Sequence, residues 1–334
     1  MDNLILADKK ARKGKSKQYG IRLFDKNPEG FLVALREILI NQDYHTSEYS
    51  TFKVFEPKER IVYRLPYYPD RITHHAIMNV LEPIFTGMFT NDTYSCIKGK
   101  GIHAAKKSLQ KSLLDESSTK YCLKLDIKKF YPSVDHEILK NLLRRKFKDY
   151  RLLKLLDEII DSTDGIPIGN YLSQYFANFY LTGFDHWIKE TIGVKYYWRY
   201  ADDIVICADN KDYLHNLFFK ISQYFDVNLK LIVKNNYQVF PIAKSRYSLD
   251  GRGIDFLGYV FFRDHIMIRK SIKKNFVRKL KRHPKHETIA AYWGWLIHAD
   301  TKNLQNKLLT HEQLQRFQNR TKKRRVRWRK NKDC

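Results

Sequence analysis

The feature that most constrains this chain is the stretch from Trp198 to Cys207, in which two adjacent acids separate two runs of aromatic and β-branched residues. That pattern predicts two strands joined by a tight turn, with Asp202 and Asp203 at its tip. Adjacent carboxylates repel, and each needs water or a cation, so an apolar core does not hold them unaided. A solvated hairpin turn and a divalent-metal site both meet this need, and the rest of the chain distinguishes between them.

The second constraint is charge. The chain has 62 Lys and Arg against 36 Asp and Glu, a net charge of +26. An excess of this size predicts a polyanionic partner, most simply nucleic acid, because solubility alone needs a much smaller imbalance. A hydrophobic content of 43% with 14% aromatic residues excludes a disordered chain. The 334 residues suffice for roughly two or three subdomains.

The four cysteines lie far apart and match no zinc spacing. Together with the lack of a signal peptide, this predicts reduced thiols and a cytoplasmic location. No apolar run approaches the ~18 residues that a membrane span needs. We therefore expect no membrane partner.

A further acid follows another predicted strand. Residues 121–127 alternate as a strand that delivers Asp126 just before Phe130 and Tyr131. An acid at a strand end, beside aromatic residues that can wall a pocket, suits a metal ligand. If this strand lies beside the Asp202–Asp203 hairpin, three carboxylates converge on a site for two Mg²⁺ ions about 3.5–4 Å apart. One ion would lower the pKa of an attacking 3′-hydroxyl, and the other would stabilise a leaving pyrophosphate.

Two shorter segments suit contact with a nucleotide. Lys58 and Arg60 lie on an extended, turn-bounded piece, where basic groups are rigidly placed for a triphosphate or a nucleic-acid backbone. A solvated hairpin is the alternative there. Farther along, Gly169 leads a turn into a helix and permits close backbone approach, while Ser173 and Gln174 offer hydrogen bonds.

Basic segments lie at both ends of the chain. The Lys-rich residues 1–20 predict either a frayed terminus or an arm that contacts nucleic acid. Residues 270–298 predict basic helices with interleaved aromatics, typical of a groove that follows nucleic acid, and a basic tail ends the chain. The expected nucleic-acid contacts are Lys270, Lys273, Lys274, Arg278, Lys281, Arg282, Trp293, Arg324 and Arg325.

Five ordered segments resemble the motifs of reverse transcriptases. They are residues 125–131 for motif A, residues 168–174 for motif B, residues 200–203 for motif C, Lys234 for motif D and residues 256–259 for motif E. The resemblance covers roughly residues 50–265 and implies an α+β right-hand polymerase that makes DNA on an RNA template. It implies an N-terminal basic extension and helix (1–48), fingers (49–120), an antiparallel-sheet palm backed by helices (121–265, with fingers helices inserted around 136–180), a helical thumb (266–312) and a basic tail (313–334).

The resemblance also implies roles for individual residues. Asp126, Asp202 and Asp203 would hold two Mg²⁺ ions, with the Ile127 carbonyl as a further ligand. Tyr131, or else Phe130, would be the steric gate that excludes a ribose 2′-hydroxyl. Lys58 and Arg60 would grip the incoming triphosphate, and Lys234 would protonate the leaving pyrophosphate. Gly169, Ser173 and Gln174 would shape the pocket for the nucleotide and the template.

Ile168 narrows the resemblance, because most reverse transcriptases carry Gln at this position. An aliphatic residue there resembles the enzymes of diversity-generating retroelements, and residues 56–60, 236–241, 252–258 and 294–298 agree. That family copies a template RNA into cDNA with frequent errors opposite adenine, and the cDNA replaces a variable gene segment. The loss of a polar contact at Ile168 fits looser discrimination between nucleotides.

The same resemblance implies a bacterial or phage-encoded protein with several partners. These are a structured template RNA, cDNA, dNTPs and a small basic accessory protein that assembles as a ring of helices. A retron-like or antiphage-defence reverse transcriptase is the nearest alternative. From another class, a non-catalytic RNA-binding relic is a further alternative, against which the intact acids Asp126, Asp202 and Asp203 argue.

Overall fold

The computed structural model describes residues 1–55, 59–282 and 286–319. Over these ranges the chain is a mixture of helices and strands that divides into two compact units. The first unit comprises Met1–Gly101, Lys124–Ile206 and His215–Tyr237, and the second comprises Ile102–Leu123, Cys207–Leu214 and the described residues from Gln238 onward. The five-part division inferred from the sequence stays a prediction.

Groups of helices are interspersed with short strands along the described chain. The helices are α1 (Asp2–Ala11), α2 (Tyr19–Phe24), α3 (Pro28–Ile40), α4 (Ile72–Met88), α5 (Ile102–Ser112), α6 (His136–Lys146), α7 (Tyr150–Ile160), α8 (Tyr171–Tyr180), α9 (Thr182–His186), α10 (Lys211–Leu229), α11 (Lys270–Leu280), α12 (His286–Leu296) and α13 (Lys302–Leu308). The strands are β1 (Ser50–Phe55), β2 (Glu59–Arg64), β3 (Tyr121–Asp126), β4 (Tyr196–Tyr200), β5 (Asp203–Ala208), β6 (Gln238–Pro241), β7 (Ile254–Phe256), β8 (Tyr259–Phe261) and β9 (Ile266–Ile268). Residues 311–319 are also helical.

The described strands form three sheets. β1 and β2 are an antiparallel pair whose register runs from Ser50 opposite Arg64 to Phe55 opposite Glu59. The central sheet has four strands in the order β4–β5–β3–β6, so the strand that ends at Asp126 lies beside the strand that begins at Asp203. β7, β8 and β9 form an antiparallel meander, and the turn between β7 and β8 lies within the segment 256–259 that resembles motif E.

The first half of the N-terminal segment is not frayed, so that alternative for residues 1–20 is wrong there, while contact of this segment with nucleic acid stays a prediction. Residues 2–11 form α1, which buries Leu4, Ala7 and Ala11 in one cluster of apolar side chains. The spacing of these three residues places them on one face of a helix. The Asn3 side-chain amide donates to the Ala76 carbonyl at 3.0 Å, so α1 is also tied to α4 by a polar contact.

Local sequence signals explain where several helices begin. Asp135 accepts a hydrogen bond from the Ile138 N–H at the start of α6, and Asp149 accepts one from the Leu152 N–H at the start of α7. Such caps satisfy backbone donors that the first helical turn leaves unpaired. No helix in the described ranges is both long enough and apolar enough to cross a lipid bilayer.

Candidate active site

The paired acids lie at a tight turn between two strands of the central sheet, as their flanking residues predict. β4 ends at Tyr200 and β5 begins at Asp203, so Ala201 and Asp202 alone form the connection. Ala201 has a φ of 53°, a conformation that non-glycine residues rarely adopt. Both strands are anchored by buried side chains, among them Trp198 and Ile204. The turn is therefore held at the end of a rigid hairpin.

The neighbouring strand brings Asp126 to this turn. β3 ends at Asp126, and the N–H of the next residue, Ile127, donates to the carbonyl of Asp202 at 3.3 Å. Burial raises the pKa of Asp202 above its ordinary value, and the charge of Asp126 raises it further. The two carboxylates therefore share one electrostatic environment, although 75 residues lie between them in the chain (127 to 201).

Two cations partly offset the repulsion between these acids. Lys234 Nζ lies 2.6 Å from Asp126 Oδ1, and the Lys234 N–H donates to the Asp126 carbonyl at 2.9 Å. The positive charges of Lys234 and Arg60 each lower the pKa of Asp202, against the larger effects of burial and Asp126. Lys234 is held at this position by an isolated antiparallel bridge between Val233 and Ile127.

Asp203 contacts a different lysine. It is the first residue of β5, and its Oδ1 lies 3.7 Å from Nζ of Lys124 on β3. Lys124 and Asp126 are two positions apart on the same strand, so both side chains project from one face of the sheet. The structure thus brings Asp126 and Asp202 together directly and places Asp203 against the same strand.

The carboxylates near the β4–β5 turn are the candidate ligands of the expected Mg²⁺ ions. Across residues 1–55, 59–282 and 286–319, no three His, Cys, Asp or Glu side chains form a ready-made ligand cluster. Mg²⁺ does not require one, because it commonly binds through one or two carboxylates together with water and substrate phosphates. The charge of Asp126 adds to the effect of burial in raising the pKa of Asp202, and a cation between the two groups would oppose this. These residues therefore fit a magnesium site completed by substrate.

A buried ion pair supports the turn, and sequence reasoning missed it. Arg199 on β4 is fully buried, with Nε 2.7 Å from Oδ1 and Nη2 2.5 Å from Oδ2 of Asp185 on α9. Nη1 of the same guanidinium donates to the Ala201 carbonyl at 3.2 Å, next to Asp202. The available signal was a charged residue in the middle of an apolar strand, which requires a buried partner of opposite charge.

The expected steric-gate residues differ in exposure. Phe130 is buried, with 2% of its surface exposed, so its ring belongs to the core. Tyr131 is half-buried, and its ring centroid lies 5.7 Å from that of Phe130. Burial, then Cys96 and the charge of Asp202, raise the pKa of the Tyr131 hydroxyl. Of the two expected gate residues, Tyr131 is therefore the one whose side chain lies near Asp202, and the buried ring of Phe130 packs against it.

The glycine-led turn packs against β2. The Tyr63 N–H on β2 donates to the Ile168 carbonyl at 2.8 Å, and Gly169 has a φ of +122°. A Cβ at Gly169 would lie 2.2 Å from the Tyr63 carbonyl oxygen, so only glycine fits this approach. Beyond the turn, Ser173 is buried in α8 and Gln174 is exposed. Arg60 is on β2 itself, whereas Lys58 lies outside the described residues.

The expected nucleic-acid contacts fall into three groups. Trp293 is buried and stacks on Phe317 with centroids 5.6 Å apart, so it packs in the core and does not present its ring to a ligand. Arg324 and Arg325 lie outside the described residues. The remaining six are exposed on or just after α11, namely Lys270, Lys273, Lys274, Arg278, Lys281 and Arg282.

Comparison with known proteins agrees with this geometry. Residues 56–261, more than half of the chain, match the family described as reverse transcriptase (RNA-dependent DNA polymerase). The matched span contains Asp126, Asp202, Asp203 and Lys234. The chain belongs to the reverse transcriptase family.

Three curated relatives share parts of the chain. Protein YkfC of Escherichia coli (strain K12) is 25% identical over 175 residues, 48% of this chain and 45% of that protein. The group II intron-encoded protein LtrA of Lactococcus lactis subsp. cremoris is 23% identical over 137 residues, 38% of this chain and 22% of that protein. The retron Ec73 reverse transcriptase of Escherichia coli is 28% identical over 161 residues, 42% of this chain and 49% of that protein. The chain thus spans half or less of the length of these relatives.

Solved telomerase structures share the fold. The structure of telomerase from Candida albicans in complex with the TWJ fragment of telomeric RNA matches 80% of this chain and 57% of that chain, with a TM-score of 0.51 and 10% identity. Apo telomerase from Candida tropicalis, truncated from the C-terminal domain, matches 70% of this chain and 59% of that chain, with a TM-score of 0.50 and 11% identity. At this identity the likeness concerns the fold alone.

Proposed function

We propose that this protein is an RNA-directed DNA polymerase whose active centre is formed by Asp126 and Asp202, with Asp203 beside them. The observation that carries the proposal is the electrostatic coupling of Asp126 and Asp202 at the hydrogen-bonded junction of β3 and the β4–β5 turn. A family membership that covers residues 56–261 supports it. The net charge of +26 favours a polyanionic substrate.

In this proposal the chain's own residues orient the reactants. Asp126, Asp202 and Asp203, with the Ile127 carbonyl, would hold two Mg²⁺ ions, which when bound would stabilise the attacking and leaving oxygens of nucleotidyl transfer. Lys234, which lies 2.6 Å from Asp126, carries a proton that it can donate to the departing pyrophosphate. The charge of Arg60 acts on Asp202, and Arg60 grips the triphosphate together with Lys58.

We also assign the fingers, palm and thumb subdomains of the polymerase. The β1–β2 hairpin belongs to the fingers, and the central sheet with Asp126 and Asp202 is the palm. Helix α11 belongs to the thumb, where its exposed lysines and arginines contact the phosphate backbone of the template–primer duplex. Trp293 is a packing residue of this region rather than a nucleic-acid contact.

A template-choice experiment tests the activity. A DNA primer is annealed to four RNA templates that differ only in the first uncopied base, and each is incubated with Mg²⁺ and one dNTP at a time. We expect the protein to add the complementary nucleotide preferentially on every template. Addition that ignores the template base, or no addition by a folded protein, would contradict the proposal and favour a non-catalytic RNA-binding relic.

A finer assignment within the family is to the diversity-generating retroelements. The half-buried Ile168 precedes Gly169 and joins β2 through its carbonyl, so an aliphatic side chain stands where a glutamine amide would offer a hydrogen bond. Loss of that contact loosens discrimination between nucleotides and favours errors opposite adenine. The partners in this assignment are a structured template RNA and a small basic accessory protein that assembles as a ring of helices.

Substitution at Ile168 tests the error-prone assignment. We expect Ile168→Gln to lower the error frequency opposite template adenine, measured by sequencing cDNA. Ile168→Leu is the matched control, because it keeps an aliphatic side chain and should keep the errors. An unchanged adenine error rate in Ile168→Gln would contradict the role of this residue.

A retron-like function is the second candidate, and the 28% identity to the retron Ec73 reverse transcriptase favours it. The two candidates differ in their product. For an enzyme of a diversity-generating retroelement, sequencing of nucleic acid that copurifies with the protein would yield cDNA with adenine-directed changes. For a retron-like enzyme, it would yield a faithful copy of one defined RNA.

A further inference from the structure

The first unit contains a series of hydrogen bonds that joins the residue before β1 to the glycine-led turn, residues 168–170. The Asn170 side-chain amide donates from Nδ2 to the Tyr49 hydroxyl at 2.8 Å. The Tyr49 hydroxyl lies 2.9 Å from Ser162 Oγ, and Ser162 Oγ donates to the Ile159 carbonyl at 2.7 Å. Asn170 is 121 positions from Tyr49 in the chain, so this contact exists only in the folded protein.

The direction of each bond in the series follows from the protons that are available. A serine hydroxyl has one proton, and Ser162 gives its proton to the Ile159 carbonyl. The bond between Tyr49 and Ser162 therefore uses the Tyr49 proton, which leaves the Tyr49 oxygen to accept from Asn170. Burial raises the pKa of the Tyr49 hydroxyl, so this proton is retained at neutral pH. Asn170, Tyr49 and Ser162 thus form a one-way series of donors, the Tyr49 relay.

The Asn170 side chain does not perform the usual task of an asparagine at a helix start. Asn170 directly precedes α8, where an asparagine side chain commonly accepts a hydrogen bond from the first helical turn. In this structure the side chain makes no such bond. Only 5% of the residue is exposed, so loss of the bond to Tyr49 would leave a buried donor unpaired. The bond to Tyr49, and not capping of α8, therefore accounts for the placement of this side chain.

The same tyrosine contacts the residue that holds the other end of the turn. The Tyr49 ring packs edge-on against the Tyr63 ring, with centroids 5.6 Å apart. The Tyr63 N–H donates to the Ile168 carbonyl, and the Tyr63 carbonyl oxygen closely faces Gly169. Ile168, Gly169 and Asn170 are thus each held by Tyr49 or Tyr63. Hydrogen bonds at both ends of this three-residue turn restrict its backbone.

The backbone that carries Tyr49 is itself anchored. The Ser47 N–H donates to Asp70 Oδ1 at 3.1 Å, and the Thr46 N–H donates to Glu158 Oε1 at 3.0 Å. Asp70 is fully buried. Tyr49 therefore projects from a fixed support, which a group that positions another side chain needs.

We infer that Tyr49 is a positioning residue for nucleotide selection, which acts through Asn170 to hold the glycine-led turn in the conformation that the incoming nucleotide meets. This inference rests on the proposed function, in which the turn shapes the nucleotide pocket. A pocket held rigidly by surrounding hydrogen bonds rejects ill-fitting base pairs better than one that yields. Loss of the Tyr49 hydroxyl should therefore reduce accuracy, while Asp126 and Asp202 are left in place for the chemical step.

Single-nucleotide incorporation opposite template guanine tests this role, with dCTP as the correct and dTTP as the incorrect nucleotide. The test variant is Tyr49→Phe, which keeps the ring against Tyr63 and removes the hydroxyl. The matched control is Tyr67→Phe, which removes a hydroxyl of the same unit that donates to Asp8 in α1. We expect the ratio of kcat/KM for dCTP over dTTP to fall about fivefold in Tyr49→Phe, the scale of one hydrogen bond. The fall should come from a higher KM for dCTP at a nearly constant kcat, and Tyr67→Phe should keep the wild-type ratio.

Asn170→Ala and a double variant show whether Tyr49 acts through Asn170. If it does, Tyr49→Phe/Asn170→Ala should select no worse than the single variant with the lower ratio. Additive losses in the double variant would overturn the inference. So would an unchanged ratio in a folded Tyr49→Phe protein, because a hydroxyl that only stabilises the fold would leave selection intact.

Hydrogen exchange supplies a second readout that needs no DNA synthesis. The Tyr63 amide, which donates to the Ile168 carbonyl, should exchange about fivefold faster in Tyr49→Phe and in Asn170→Ala than in wild type. In Tyr67→Phe it should exchange at the wild-type rate. Unchanged exchange in Tyr49→Phe would contradict the inference. If the wild type adds no nucleotide, the polymerase proposal fails, and the exchange rates still decide whether the Tyr49 relay holds the turn.

Discussion

The Arg199 guanidinium and the Asp185 carboxylate form a fully buried, bidentate ion pair, with Nε 2.7 Å from Oδ1 and Nη2 2.5 Å from Oδ2. The pair also receives hydrogen bonds from the Tyr197 and Thr93 hydroxyls. Since Arg199 donates to the Ala201 carbonyl as well, the pair links the interior of the first unit to the turn that carries Asp202.

Removal of one member of this pair should destabilise the protein strongly. We expect Arg199→Met or Asp185→Asn to lower the free energy of unfolding by roughly 3–5 kcal/mol, because the remaining charge stays buried without its partner. Arg36→Met, at an exposed pair with Glu37, is the control and should cost less than ~1 kcal/mol. Urea denaturation measures both, and similar losses at the two sites would contradict the account.

Gly169→Ala should be destabilised by strain and by a clash together. The φ of +122° disfavours any side chain, and the new Cβ would lie 2.2 Å from the Tyr63 carbonyl oxygen. We expect a loss of about 2–4 kcal/mol in unfolding free energy. Gly14→Ala is a matched control, since Gly14 has a φ of +72° with nothing within 4 Å of its Cβ position. Thermal or urea unfolding should therefore separate the two, and equal losses would show that the contact with Tyr63 contributes nothing.

Tyr131→Ala should weaken discrimination against ribonucleotides. Tyr131 is the half-buried aromatic residue beside Asp202, so a smaller side chain opens space for a 2′-hydroxyl. We expect the preference for dNTP over rNTP, measured as a ratio of incorporation efficiencies, to fall by roughly 10–100-fold. Tyr131→Phe keeps the ring and should keep the preference. Unchanged selectivity in Tyr131→Ala would assign the gate elsewhere.

Stability should depend on pH through His75. Its pKa is about 4 in the folded state against an ordinary value of 6.5, because burial and then Lys15, Lys10 and Arg71 disfavour the imidazolium. The unfolded chain therefore binds a proton that the folded chain rejects, and the free energy of unfolding falls as pH decreases from 6.5 towards 4. His75→Phe, which retains stacking on Tyr171, should reduce this fall. His311→Phe, at an exposed position, should not. Urea titrations at several pH values measure the slopes, and equal slopes in wild type and His75→Phe would contradict the prediction.

The sequence predicted elements with local signals well. The β4–β5 hairpin, the strand that ends at Asp126 and the helix after Gly169 all follow from alternation, turn residues and glycine position. The missed features depend on partners distant in the chain. Asp185 and Arg199 are separated by a helix end and a strand start, and nothing local pairs them.

Composition also misled in two places. In α1 the lysines concealed an apolar stripe of Leu4, Ala7 and Ala11, whose small side chains give a weak periodic signal. In α12 the basic surroundings of Trp293 suggested a nucleic-acid contact, but the ring stacks on Phe317, 24 positions later in the chain (293 to 317). An aromatic residue in a basic helix can face the core as readily as a ligand, and only tertiary contacts distinguish the two.

In the proposed mechanism the carboxylates of Asp126 and Asp202 act together at the growing DNA end. This is measured by single-nucleotide incorporation on an RNA template with saturating Mg²⁺, in which Asp126→Asn and Asp202→Asn are compared with Asp209→Asn. Asp209 is an exposed acid that directly follows β5. We expect Asp126→Asn and Asp202→Asn each to lose about a thousandfold or more in rate, equivalent to roughly 4 kcal/mol of transition-state stabilisation. Asp209→Asn should retain the wild-type rate. Rates within a few-fold of wild type in folded Asp126→Asn or Asp202→Asn would contradict it.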